Sequence, residues 1–165
     1  MDQHLSFGLA SIMQSSSLKC LELSRIKSLP TSIFASCINL TDLTLKSVVS
    51  GTTQNCDQRH SAPKTVAQLQ LLNFRQSVDY LKTLVTARCT NNLPILDFSS
   101  LRRLEVDTLS VLDLANAYIV IGITEKLETF ECVADNISTG FMGFASAMNP
   151  SSFSTLRNLH FAFDA

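Results

Sequence analysis

Catalysis or metal binding in this 165-residue chain would have to be assembled from three histidines, five cysteines and fourteen carboxylates. Their spacing offers little to build with. Cys20, Cys37, Cys56, Cys89 and Cys132 lie far apart, with no C-x-x-C pair and no zinc-ligand spacing. His4, His60 and His160 are equally scattered. Cys56 and His60, four positions apart, are the closest thing to a thiolate–imidazole pair, but both sit in a polar, turn-prone stretch over 50–64 and read as unrelated solvated residues. Asp113 interrupts an apolar run over 109–123. It is either a buried acid with a raised pKa or, the preferred reading, a residue on the wet side of a helix. No G-x-S-x-G elbow, phosphate-cradling glycine loop, H-E-x-x-H pair or H-x-E with paired cysteines occurs. The expectation is no catalytic residue, no metal and no cofactor.

Composition narrows the classes further. Thirteen basic against fourteen acidic side chains give a net charge of −1, which leaves no electrostatic footprint for nucleic acid or an anionic membrane. With 45% apolar and 16% charged residues the chain can bury a core, and its length suits one domain. An odd number of cysteines, four of them in or beside apolar segments, points to reduced core thiols and an intracellular, cytoplasmic or nuclear setting. The first four residues, Met1 to His4, lack the basic start of a secretory signal, and the run over 109–123 is too short to cross a bilayer. In that setting Asn39-Leu40-Thr41 and Asn136-Ile137-Ser138 are chance matches to a glycosylation acceptor.

Leucine is the commonest residue, and its placement is periodic. Apolar residues at positions 1, 4 and 6 of a short unit recur as Leu18, Leu21, Leu23; Leu40, Leu43, Leu45; and Val66, Leu69, Leu71. They return as Leu101, Leu104, Val106; Leu127, Phe130, Cys132; and Leu156, Leu159, Phe161. The units start 22, 26, 35, 26 and 29 residues apart, in or near the range of leucine-rich repeats. Positions 4 and 6 share one face of a strand, so each unit alone buries only half of itself. Stacked in parallel, the units close a common core and pair their backbones. The spacing therefore predicts an α/β leucine-rich-repeat solenoid of about six irregular repeats: a curved parallel sheet with helices and loops on the convex side.

The segments between units supply the return path. Residues 30–37 begin with Pro30 and suit a short helix. Ser77 is placed to cap a helix with Val78, Leu81, Val85 and Cys89 along one stripe. A well-buried helix is expected over 109–123, interrupted by Gly122, and another over 141–148, stopped by Asn149-Pro150. Leu5, Leu9 and Met13 recur every four residues, so residues 1–17 are read as a capping helix ahead of a single repeat domain over 18–165. The stretch over 50–64 lacks any period and is read as a loop.

Residues 29–45, LPTSIFASCINLTDLTL, resemble the cysteine-containing repeat of F-box leucine-rich-repeat proteins, in which a short helix ends in a cysteine just ahead of the next L-x-x-L-x-L strand. Residues 84–89, LVTARC, are a looser second copy. The irregular repeats and the I-F-x-x-C-x-N-L segment are similar to F-box-like proteins of mushroom-forming fungi, over residues 18–165. That resemblance implies the repeat fold and a link to ubiquitin ligation through an adaptor subunit. The sequence departs from the family in having no three-helix F-box ahead of the repeats, so the adaptor is an expected partner only with an F-box upstream.

Outward strand positions of such a stack line one continuous surface. Here they are Glu22, Asp42, Thr44, Lys46, Gln68, Gln70, Arg103, Glu105, Asp107, Thr129, Glu131, Asn158 and His160. The surface is polar, mixed in sign and poor in aromatic anchors. It predicts a non-catalytic protein-binding module, with no nucleic acid and no membrane as partner. The alternatives are a small α/β enzyme with a discontinuous site, or a decayed or truncated paralogue without activity.

Overall fold

The computed structural model describes residues 11–50, 65–89, 91–108, 111–135 and 143–164. His4, Leu5, Leu9, Cys56, His60, Asn136, the expected helix start at 141 and the side chain of Asp113 lie outside the described residues. Alternating apolar and polar residues make the strands: β1 (Cys20–Ser24), β2 (Asp42–Lys46), β3 (Ala67–Gln68), β4 (Leu71–Arg75), β5 (Leu96–Asp97), β6 (Arg103–Thr108), β7 (Thr129–Asp135) and β8 (Asn158–Asp164). Six of them form one sheet in chain order, β1-β2-β4-β6-β7-β8, and every neighbouring pair is parallel. The two-residue strands β3 and β5 pair separately, also in parallel.

The register aligns like with like. One row across the sheet reads Leu21, Leu43, Leu72, Leu104, Phe130, Leu159, and the next reads Leu23, Leu45, Phe74, Val106, Cys132, Phe161. Leu43, Leu45, Leu72, Leu104, Phe130 and Cys132 are fully buried, as are Leu40, Leu69, Leu101 and Leu127 at the strand entrances. Each such side chain contributes about 1.5–3 kcal/mol on leaving water. At every strand-to-strand step the carbonyl just before one strand accepts two amides from the next unit. Lys19 serves Thr41 and Asp42, Thr41 serves Gln70 and Leu71, and Gln70 serves Arg102 and Arg103. Arg102 then serves Glu128 and Thr129, and Glu128 serves Arg157 and Asn158.

This ladder corrects the expected third unit, which slides by three residues: its entrance residue is Leu69 and its inward pair is Leu72 and Phe74. Leu69, Leu71 and Leu72 satisfy the 1-4-6 pattern in either phase. Burying Phe74 selects between them and leaves Leu71 half-exposed on the opposite face. Cys20 is corrected too. It stands at an outward strand position and is exposed, whereas Cys37, Cys89 and Cys132 are buried.

Helical segments cover the apolar side. A 3-10 turn, Thr31–Ser36, follows Pro30 and buries Phe34, and the Cys37 backbone N–H closes it by donating to the Phe34 carbonyl. Helix α1 (Val78–Thr86) buries Tyr80, Leu81, Leu84 and Val85, and the Tyr80 ring meets Phe34 edge-on at 6.4 Å. Helix α2 (Val111–Ile123) buries Leu114, Ala117, Val120 and Ile121. Gly122 does not interrupt it: a Cβ there would stand 3.2 Å from the Ala147 carbonyl, so glycine permits close approach of α3 (Phe144–Ala147). Phe144 stacks on Phe130 at 5.1 Å, which fixes α3 against the sheet. A 3-10 turn, Pro150–Ser154, leads into β8. Before β1, residues 11–13 are helical, Met13 is fully buried, and the Asn39 amide donates to the Ser16 carbonyl at 2.7 Å.

Two buried serines tie successive units together. Ser77 does not cap α1 with its side chain. Its hydroxyl instead accepts the Val48 amide and donates to the Arg75 carbonyl, both at 2.8 Å. Ser152 accepts the Leu127 amide at 3.3 Å and donates to the Thr124 carbonyl at 2.7 Å. By contrast, the buried Tyr80 hydroxyl has no partner among the described residues. Ser152→Ala is expected to lower unfolding stability by about 1–3 kcal/mol, because two buried backbone groups lose their partner. Tyr80→Phe is expected to leave stability unchanged or raise it by about 1 kcal/mol. Urea unfolding of both variants checks the contrast, and equal losses would contradict it.

Candidate functional site

The candidate site is the outward face of the six-stranded sheet, opposite the helices. The strands' alternation places it there: every residue between two inward ones must point out. Across the sheet the outward rows are Cys20, Asp42, Leu71, Arg103, Thr129, Asn158, then Glu22, Thr44, Asn73, Glu105, Glu131, His160. A third row runs Ser24, Lys46, Arg75, Asp107, Val133, Ala162. Eleven of the thirteen expected face residues therefore occupy three adjoining rows. Gln68 and Gln70 do not. Gln68 lies in the side pair opposite Asp97, and Gln70 precedes β4, where its carbonyl takes the amides of Arg102 and Arg103. Leu71 and Asn73 hold the places assigned to them, and Arg75 is the next outward residue of the strand. The signal for these three was the inward pair Leu72 and Phe74, the more buried of the two phases.

Charges on the face are organised by one guanidinium. Arg103 donates from Nε to Glu105 Oε1 at 2.6 Å and from an η nitrogen to Glu131 Oε1 at 3.0 Å. Glu105 and Glu131 are direct neighbours in register, so Arg103 relieves a like-charge contact between β6 and β7. Asn73 on β4 donates its amide to the other oxygen of Glu105. Its own carbonyl oxygen is buried and has no partner among the described residues. The result is a continuous polar cluster on three strands, Asn73–Glu105–Arg103–Glu131. Lys46 and Glu22 pair separately at 2.7 Å, and the Asn158 amide donates to Thr129 Oγ1 at 3.2 Å. Exposed pairs of this kind contribute only about 0–1 kcal/mol each to stability. Their effect is to hold charged groups at set positions.

Cys20 begins the first row. Its thiol donates to Asp42 Oδ2 at 3.0 Å, and that carboxylate also accepts the Thr41 hydroxyl at 3.3 Å. The hydrogen bond to Asp42, and with it the charge of the carboxylate, raises the thiol pKa above its ordinary value. Burial raises Cys37 to about 11 and Cys132 to about 12. No group of three metal-ligating side chains occurs among the described residues. No described helix is long and apolar enough to cross a membrane. Compared with protein-family models, curated proteins and solved structures, the chain matches none.

Removing the Asp42 charge should release the Cys20 proton more readily. In a Cys56→Ser background, Asp42→Asn is expected to speed iodoacetamide labelling of Cys20 severalfold at pH 8, because more thiolate is present. A rate that is unchanged or slower would show that the carboxylate does not govern this thiol.

Proposed function

We propose that the chain is a leucine-rich-repeat solenoid acting as a non-catalytic protein-interaction module, with the outward sheet face as its docking surface. The observation that carries this reading is the Asn73–Glu105–Arg103–Glu131 cluster. It spans three strands of a face whose inward rows are uniformly apolar while its outward rows differ from strand to strand. A backbone ladder fixes where the outward side chains stand but leaves their types open, and varied side chains on a regular grid suit recognition of one protein surface. The F-box resemblance extends the reading to substrate recognition for a ubiquitin ligase, with the adaptor engaged by an F-box joined to the chain.

A photo-crosslinking amino acid at Thr44 or Glu131 is expected to capture a common protein from cell extract. The same probe at Lys82, on α1, is expected not to. Exchanging the charges in Arg103→Glu/Glu105→Arg should cut that capture at least about tenfold, since steering and register both depend on sign. Capture that is equal from Lys82, or untouched by the exchange, would contradict a docking role for this face.

A further inference from the structure

We propose that the strand exits of β1, β2 and β4 bind an acidic segment of a partner protein, its carboxylates meeting Arg25, Lys27 and Arg75. The proposal rests on the reading of the outward face as a docking surface and names the chemistry of what docks there.

Register brings the cations together. Lys46 and Arg75 are paired neighbours at the ends of β2 and β4. Arg25 follows β1 directly, and its amide donates to the Lys46 carbonyl at 2.8 Å. Lys27 lies in the same turn, where the Ile26 carbonyl accepts the Val49 amide at 3.0 Å. Neighbouring strands stand about 4.8 Å apart, so the backbones of Arg25, Lys46 and Arg75 fall within about 10 Å. Arg25, Lys27 and Arg75 are all exposed. The carbonyls of Lys46, Arg75 and Asp107 do not offset this positive charge, because the amides of Arg25, Ser47 and Gln76 already occupy them.

What sets these three cations apart is that nothing within the chain answers them. Glu105 and Glu131 hold Arg103, and Glu22 holds Lys46. Asp42 accepts the Cys20 thiol and the Thr41 hydroxyl, and Asp107 is engaged as well. Each carboxylate in the three outward rows thus has a partner. Arg25, Lys27 and Arg75 make no ion pair among the described residues, although Asp107 is the register neighbour of Arg75. The charge left over for a partner is therefore positive. A neutral or basic segment laid here would desolvate the cations without compensation, whereas clustered carboxylates pair with them.

Fluorescence polarisation with labelled hexaglutamate, at low ionic strength, tests this. Hexaglutamate is expected to bind saturably and hexaglutamine not to, with affinity falling as salt is added. Arg25→Glu/Arg75→Glu is expected to weaken binding at least about tenfold. Lys82→Glu/Lys126→Glu changes the net charge equally, on α1 and ahead of β7, and is expected to stay within about twofold of the wild type. Should the first double variant lose its circular-dichroism spectrum, Arg75→Gln carries the test, with an expected loss of about threefold. No binding of hexaglutamate, or equal losses in the two double variants, would overturn the proposal. Binding to phosphatidylserine vesicles but not to hexaglutamate would overturn it in favour of an anionic membrane. Crosslinked capture through Thr44 that persists while hexaglutamate fails to bind would overturn this proposal alone and leave the docking face standing.

Discussion

The architecture depends on one repeated hydrogen-bonding step. A carbonyl just before each strand accepts two amides from the next unit, five times in succession from Lys19 to Glu128. That step sets parallel direction and register together. Once register is set, residues of like character must align across the sheet, and the two inward rows become a continuous apolar wall. No unit can bury that wall alone, so the fold is held by contacts between neighbouring units.

Turns at the other strand ends obey the same constraint. Arg25, Ser47 and Gln76 each follow a strand directly, and all three adopt positive φ. Their amides bond the carbonyls of Lys46, Arg75 and Asp107 on the next strand, extending the ladder by one step while the chain turns toward the helical side. A left-handed conformation at a non-glycine residue is tolerated here because the neighbouring unit over-determines it. Buried Ser77 then satisfies the Val48 amide just beyond one of these turns, and buried Ser152 satisfies the Thr124 carbonyl and the Leu127 amide ahead of β7. The regular ladder and these polar ties together let the return segments vary from a single 3-10 turn to a thirteen-residue helix.

The parallel strands were legible in the sequence because leucines at 1-4-6 spacing have few other uses. Five of the six units lie where the spacing puts them. The third does not, because Leu69, Leu71 and Leu72 fit two phases and only the burial of Phe74 decides between them. That single ambiguity moved Gln68 and Gln70 onto the face and kept Asn73 off it. The position of Ser77 ahead of α1 suggests a helix cap, which its side chain does not make. Its backward bond to Val48 is a contact across 29 residues, which local sequence does not encode. The cluster around Arg103 was visible only as separate outward residues, since pairing across strands needs the register first.

Everything above rests on this register, which nuclear Overhauser contacts between backbone protons of neighbouring strands would read out. Contacts in the parallel pattern are expected to link Leu43 to Leu72 and Leu72 to Leu104. Contacts linking Leu43 to Leu69 instead, or an antiparallel pattern between any two of these strands, would contradict it.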